Sequence, residues 1–418
     1  MATAAIQSLG ESSCRFCGAG LRHSFVDLGA QPPSNSYLRP ADLTRMEPFY
    51  PLHAYVCTSC LLVQLEAFHA PDEIFADYAY FSSYSETWLR HAEAYCAAMT
   101  ERLRLGSHSQ VVEVASNDGY LLQYFARRAI PVLGIEPAGN VARAAERKGV
   151  PTRVAFFGRA AAAALVADGF AADLLVGNNV LAHVPDLNDF VAGLRVALKP
   201  DGVLTMEFPH LLRLIDGNQF DTIYHEHFSY FSFFTAERVF AAHGITLFDV
   251  EELPTHGGSL RIYGCRAEAG RRAGGRVAEL KARERAAGLD GVAAYDGFGE
   301  RVKTAKRRLL SVLIEAKDAG MSVAAYGAAA KGNTLLNYCG IGPDMIDYVA
   351  DASPHKQGLC LPGSHIPIVA PARIAETRPD LLLILPWNLA DEVIAANACI
   401  RSWGGRFVIP IPEARVIP

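Results

Sequence analysis

The chain has 418 residues, half of them hydrophobic and a fifth charged, with 35 glycines and 23 prolines. That length implies two or three domains, and that composition excludes a disordered, collagenous or low-complexity chain. A net charge of -5 argues against a chain-wide footprint for nucleic acid or an anionic membrane, so the expected partner is a small molecule. The start, MATAAIQSLGESSCRFCG, lacks a basic segment followed by an apolar run, and no apolar stretch reaches the length of a spanning helix. A soluble, cytoplasmic protein is expected.

The first seventy residues are loop-rich and carry four of the nine cysteines as two pairs, Cys14-Arg-Phe-Cys17 and Cys57-Thr-Ser-Cys60. The two-residue gap lets both thiolates of a pair reach one tetrahedral ion, and two pairs complete a shell of four. A closed shell leaves no coordination position for substrate, so the expected zinc is structural and stabilises a module too small for its own core. Redox thiols are the competing reading, disfavoured because neither pair sits at a strand-to-helix junction. The other five cysteines are scattered, which argues against disulfides.

A helix is expected from about residue 86 (ETWLRHAEAYCAAMTERLRLG), and strand and helix patterns then alternate from VVEVASNDG to GVLTMEFP, as in crossover units on a parallel sheet. In VVEVASNDGYLLQYF, a strand, a tight turn through Ser116, Asn117, Asp118 and Gly119, and a helix point backbone N–H groups at a ligand. Glu136 ends the next strand, where a carboxylate can accept both ribose hydroxyls, and Asn178 and Asn179 end a third. Glu113 sits on the first strand and is equally read as orienting the turn. A dinucleotide and S-adenosylmethionine both suit such a site. The missing Gly-x-Gly-x-x-Gly, which a pyrophosphate needs, favours S-adenosylmethionine, whose positive charge also tolerates Asp118.

An aromatic, His-rich stretch follows, with Tyr224, His225, Glu226 and His227 in succession. On a strand or extended loop Tyr224 and Glu226 share one face and the two histidines the other; on a helix all four fan out. The cluster reads as a site with a working histidine, as a satisfied buried polar group, or as a second metal site. It does not match the His-Glu-x-x-His of hydrolytic zinc. A helix at 235–243 and two strands around a His-Gly-Gly turn come next. Residues 271–320 read as a solvated helical connector without chemistry, and strand-helix alternation resumes in a second, smaller α/β unit.

Together the cysteine pairs, ASNDGYLLQYF, GIEP, NNVLAHVPDL, YHEHFSYFS, YGAAAKGNTLLNYCGI and PWN resemble, end to end and in order, the nucleotide-sugar C-methyltransferases. The resemblance implies an α/β fold: a zinc-binding module (1–70), a class I methyltransferase Rossmann-like domain with the His-rich segment (71–270), a helical connector (271–310) and a second Rossmann-like domain (311–418). It implies transfer of a methyl group from S-adenosylmethionine to C3 of a dTDP- or GDP-linked 4-keto deoxysugar, in the making of branched-chain deoxysugars. By resemblance His227 is the base that takes the C3 proton, Tyr224 and Glu226 shape the site, and His225 is secondary. Tyr78, and after it Tyr80, would approach the sugar, while Asn179 and His183 would lie where the cofactor and substrate pockets meet.

The second α/β unit would then hold the diphosphate. In YGAAAKGNT, Gly327 would allow close backbone approach, Lys331 supply a charge, and Asn333 or Thr334 donate at a helix N-terminus; Trp387 and Asn388 would line the same cleft. The order Lys-Gly excludes an ATP-hydrolysing phosphate loop. Two rivals remain at this level: an O- or N-methyltransferase of another metabolite, and a non-catalytic zinc-ribbon binding protein. A monomer accommodates the apolar residues, and nothing in the sequence sets the oligomeric state.

Overall fold

A computed structural model describes residues 12–68 and 82–418. At the N-terminus β1 (His23–Gln31), β2 (Tyr50–Val56) and β3 (Val63–Leu65) pair antiparallel in that order. The region expected to be loop-rich is so over most of its length, with these three strands as its frame. Leu52, Ala54 and Val56 alternate inward along β2, and Phe25 of β1 stacks on Phe298 with ring centroids 4.5 Å apart.

The next unit begins with α1 (Glu86–Leu103), capped by the Ser85 side chain, which accepts from the Trp88 N–H. Strand and helix then alternate through β4 (Val111–Val114), α2 (Leu122–Ala126), β5 (Val132–Ile135), α3 (Gly139–Arg147), β6 (Thr152–Arg153), α4 (Arg159–Ala167), β7 (Ala172–Asn178), α5 (Leu187–Ala197) and β8 (Leu198–Pro209). After α6 (Leu211–Asp216) come the two-residue β9 (Ser229–Tyr230), α7 (Phe233–Ala242), β10 (Ile245–Leu253) and β11 (Ser259–Arg266). Seven strands form one sheet in the order β10-β11-β8-β7-β4-β5-β6, with β11 antiparallel to both neighbours. This is the class I methyltransferase arrangement. Its central strands, VVEV and ADLLVGN, are apolar on both faces because helices cover both. Strand β9 belongs elsewhere: it pairs with β3, so the N-terminal sheet is closed by residues from the middle of the chain.

The connector carries more than a solvated helix. It comprises α8 (Gly275–Ala286) and α9 (Phe298–Asp318), and α9 runs straight through the boundary expected at residue 310. Val302, Leu309 and Leu313 of α9 are buried among residues of β2 and of the C-terminal unit. Glu284 of α8 is fully buried; it accepts from His210 at 2.7 Å and from the backbone N–H groups of Phe233 and Phe234 at 2.6 and 3.0 Å. A carboxylate is thus set on the N-terminus of α7, where the unpaired N–H groups and the helix dipole favour it.

The last unit contains β12 (Val323–Tyr326), α10 (Ala330–Cys339), β13 (Val349–Ala350), β14 (Ile368–Val369), α11 (Ala372–Thr377), β15 (Leu381–Ile384), α12 (Ala390–Ala396), β16 (Arg406–Ile409) and β17 (Arg415–Ile417). Its sheet, ordered β14-β13-β12-β15-β16-β17, is parallel except for β17. No helix among the described residues is long and apolar enough to cross a membrane.

Replacing Glu284 by Ala strands His210 and two helix N–H groups in the core. We expect a loss of about 3 kcal/mol or more in urea unfolding, with zinc content unchanged.

Candidate active site and zinc centre

The two cysteine pairs converge. The sulfur atoms of Cys14, Cys17, Cys57 and Cys60 lie within 4.8 Å of one another, with Cys14–Cys60 and Cys17–Cys57 at 3.5 Å. Zinc–sulfur bonds of about 2.3 Å put tetrahedral sulfurs about 3.8 Å apart, so the four thiolates fit the ion. The Gln64 amide donates to Cys14 Sγ at 3.1 Å and so supports the thiolate from outside the shell. Zinc here is structural, because all four ligands come from protein.

At the carboxyl end of β4 the turn passes through left-handed backbone at Ala115 (φ 56°), Asn117 (φ 50°) and Gly119 (φ 74°). Glycine and asparagine adopt this region readily, whereas Ala115 is strained there, as happens at functional sites. Glu136, ending β5, accepts from the N–H of Asn117 at 3.0 Å and of Ala138 at 2.9 Å. It lines a cavity of about 590 Å³ together with Asn117, Asn178 and Asn179. Asn178 is buried, its Nδ2 is 3.5 Å from the Tyr120 hydroxyl, and its amide oxygen has no partner among the described residues. A carboxylate with lone pairs to spare and an unsatisfied acceptor suit the hydroxyl and amino donors of a nucleoside. The residues present therefore fit S-adenosylmethionine.

Four of the expected cofactor residues are directed elsewhere. Asp118 pairs with Lys148 at 2.8 Å, so its charge is already met. Ser116 is buried against Gly134, and a Cβ on Gly119 would stand 3.0 Å from Val150, so that glycine serves helix packing rather than ligand approach. Glu113 is buried beneath the turn, and burial raises its carboxyl well above the usual range. Residue types mark a ligand turn, but which side chains of a tight turn point outward depends on φ angles that the sequence does not display.

The His-rich segment is a turn rather than an extended run: the His227 N–H donates to the Tyr224 carbonyl at 2.8 Å. The expected alternation is thereby replaced by a pairing of Tyr224 with His227, whose ring centroids lie 4.0 Å apart. His227 Nδ1 is 2.9 Å from the Thr222 carbonyl, which can only accept, so Nδ1 holds the proton. Nε2 is then an acceptor, and the Tyr224 hydroxyl donates to it at 2.8 Å. Burial, reinforced by His183 and His256, holds the His227 pKa well below its ordinary value, so the ring is neutral. His183 packs edge-on to it at 4.7 Å and is pushed down to about 4 by burial. Glu226 is buried, its carboxyl is raised by that burial, and it accepts from Asn35 at 2.6 Å. His225 leaves the cavity: its Nε2 lies 3.3 Å from the Tyr50 and Pro51 carbonyls of β2, a tie to the zinc module.

From the second α/β unit, Lys331 lines the cavity at the start of α10. Its ammonium bonds to Asn388, lies 4.5 Å over the Trp387 ring and faces Asp221, which accepts from Trp387 Nε1 at 2.7 Å. Burial brings Lys331 down to about 8 and Asp221 up to about 6. Trp387 and Asn388 thus hold Lys331 and Asp221 and do not line the cavity. Gly327 (φ 90°) is required by Pro386, since a Cβ would stand 2.5 Å from its ring. Asn333 and Thr334 turn from the cavity and donate to the Ser34 and Ile223 carbonyls at 2.6 and 3.2 Å.

Lys356, Asn35 and His256 are among the lining residues that escaped the sequence reading. Lys356 donates to the Ala328 carbonyl at 2.7 Å, and Asn35 comes from the zinc module. His256, on left-handed backbone (φ 54°) in the His-Gly-Gly turn, accepts from Asn179 at 3.3 Å. Only the His256 turn carried a signal, a histidine beside two glycines at a hairpin tip. Tyr78 and Tyr80 lie outside the described residues.

The chain matches three family models: a zinc binding domain over residues 14–75, a methyltransferase domain over 88–250 and a C-methyltransferase C-terminal domain over 254–412. C-methyltransferase NovU of Streptomyces niveus is 37% identical over 407 residues, covering 97% of this chain and 96% of that protein. The chain belongs to this C-methyltransferase family. Similar solved structures include magnesium protoporphyrin IX methyltransferase of Synechocystis with bound SAM (13% identity, 43% of this chain and 79% of that one, TM-score 0.33). Another is the 1,6-didemethyltoxoflavin-N1-methyltransferase of Burkholderia thailandensis (18%, 49% and 94%, TM-score 0.34). The C-methyltransferase is a methyl-transferring enzyme with S-adenosylmethionine as its donor and a small-molecule acceptor.

In this C-methyltransferase, Cys57→Ser should drop zinc below one equivalent by elemental analysis and lower the unfolding temperature, because the metal holds the module together. Asn178→Ala should weaken S-adenosylmethionine about tenfold by calorimetry without changing zinc content.

Proposed function

We propose that the enzyme methylates C3 of a nucleotide-linked 4-keto deoxysugar through a base-generated enolate, as a step toward a branched-chain deoxysugar. The observation that carries this reading is the Tyr224–His227 pair, a neutral imidazole with its acceptor nitrogen toward a hydroxyl, in the cavity that also contains Glu136 and Asn178. S-adenosylmethionine, when bound, supplies an electrophilic sulfonium methyl.

His227 Nε2 takes the C3 proton, and the C–H electron pair moves toward C4, leaving negative charge on the C4 oxygen. A ketone-activated C–H is about 10 pKa units weaker an acid than imidazolium, roughly 14 kcal/mol uphill at 1.36 kcal/mol per unit. The base alone cannot meet that, so donors must face the developing oxyanion. Tyr224 is one such donor in this reading: its hydroxyl, 2.8 Å from Nε2, leaves it when the sugar binds and donates to the C4 oxygen. Tyr78 and His183 are the further candidate donors. S-adenosylmethionine, held near Glu136 and Asn178, would supply the methyl group to C3 and leave as the neutral thioether, and the cavity would have to hold the two reacting carbons about 3 to 3.5 Å apart.

The nucleotide diphosphate is assigned to the α10 end of the cavity, where Lys331, Lys356 and the unpaired N–H groups of the helix start are gathered. Asp221 faces Lys331 and Asp351 lies 3.9 Å from Lys356, so both ammonium groups are partly compensated, and Lys356 is the one whose removal leaves the Asp221–Trp387 contact intact. Lys356→Ala should raise KM for the nucleotide sugar about tenfold while S-adenosylmethionine affinity stays unchanged. An unchanged KM removes Lys356 from the diphosphate site.

The decisive measurement is washout of deuterium from substrate C3 into water across a panel of NDP-4-keto sugars without donor, followed by mass and NMR location of one new methyl. His227→Asn should lower both exchange and transfer by about 10³-fold, with cofactor affinity preserved. Methyl transfer to oxygen or nitrogen, with no exchange at C3, excludes the enolate route.

A further inference from the structure

The zinc module reaches the reaction cavity with one side chain. The chain leaves β1 at Gln31 and passes through Pro32-Pro33-Ser34-Asn35, and this loop is pinned on both sides of Asn35. Before it, the Ser34 carbonyl accepts from Asn333 Nδ2 at 2.6 Å. After it, the Tyr37 hydroxyl donates to the Ala328 carbonyl at 2.7 Å. Both anchors lie around the start of α10. Between them Asn35 lines the cavity and donates from Nδ2 to Glu226 Oε1 at 2.6 Å. Glu226 immediately precedes His227, and the loop of the zinc module and the reaction turn therefore meet through this one side-chain bond.

We infer that Asn35 is a positioning residue for methyl transfer: its amide fixes the Glu226 carboxylate in the cavity, and with it the turn that presents His227. This rests on the proposed role of that turn. An amide N–H donated to a carboxylate favours the ionised form, and here it opposes the burial that raises Glu226. The other titratable groups around the carboxylate are Tyr37, whose hydroxyl is used by Ala328, Tyr224 and His227, bonded to each other, His183, which is neutral, and the cavity lysines Lys331 and Lys356. None of them is bonded to the Glu226 side chain among the described residues. Asn35 is exposed to the cavity, so its replacement opens no hole in the core.

The test is Asn35→Ala and Asn35→Asp in the full-length zinc-loaded protein. Glutamate labelled with ¹³C at Cδ gives the Glu226 titration by NMR, assigned through the resonance missing in Glu226→Gln. Loss of the donated bond should raise the Glu226 midpoint by about one pH unit in Asn35→Ala, and further in Asn35→Asp, where two carboxylates share the space. Because protonation of Glu226 removes the fixed carboxylate as pH falls, the acid limb of kcat/KM should move upward by the same amount. Activity lost at pH 6 should be largely regained above pH 8. Equal midpoints in the wild type and both variants, or a uniform fall in kcat/KM at every pH, overturns the inference. If the wild type turns over no 4-keto sugar, the substrate reading fails by itself, and the NMR titration still decides the role of Asn35.

Discussion

Ser229 and Tyr230 pair with Gln64 and Val63, and this short antiparallel ladder determines where the reaction turn can stand. On one side of it the chain has just passed through Tyr224 and His227; on the other, Gln64 donates its side-chain amide to a zinc-ligating cysteine. The turn is further held from below by His225 against β2 and from the flank by Leu65, whose N–H donates to the Phe228 carbonyl at 3.0 Å. For the base proposed at His227, a displacement of about an ångström would cost rate. The ladder, the His225 contacts and the Leu65–Phe228 bond tie this turn to the zinc module, so a closed metal site bears on where His227 stands.

The cavity combines two kinds of electrostatics. Around the proposed sugar position the histidines are neutral, because burial disfavours the charged imidazolium, and neutral imidazole is the form that can take a proton. At the far end lysines gather, and their charge is only partly offset by Asp221 and Asp351. An anionic, carbonyl-bearing ligand is oriented by that gradient before any specific contact is made. The two α/β units also treat their acidic strand ends alike. Glu136 accepts from the turn after β4 and from the N–H two residues on, and Asp351 accepts from Ala328 and from Ser353 in the same pattern.

The cysteine pairs and the strand-turn-helix at 111–126 were legible in the sequence because residue type and spacing specify them, and Glu136 and Asn178 stand where strand ends were expected, lining the cavity. The seven-stranded sheet was legible for the same reason, since parallel strands buried on both faces read as unbroken apolar runs. What escaped was direction and distance. Ser116, Asp118 and Gly119 were recognised as a turn, but Lys148, Gly134 and Val150, which claim them, are brought in by tertiary contacts. Asn35 and Lys356 lie in polar stretches that look like any surface loop, and they acquire a role only because Glu226 and Ala328 are folded against them. For residues 224–227 the sequence left extended and helical backbone open, and the turn that puts Tyr224 over His227 is neither.

The buried bond between Glu284 and His210 has a consequence for exchanging parts between relatives. Such chimeras are cut most naturally in connectors, and 271–310 looks like one. Yet Glu284 caps α7 while His210 follows β8, so α8 is a structural organ of the methyltransferase sheet even though it comes after it in the chain. A graft that brings a foreign α8 leaves an imidazole and two amide protons without their acceptor. A seam that keeps this bond has to lie beyond Ala286, where α8 ends.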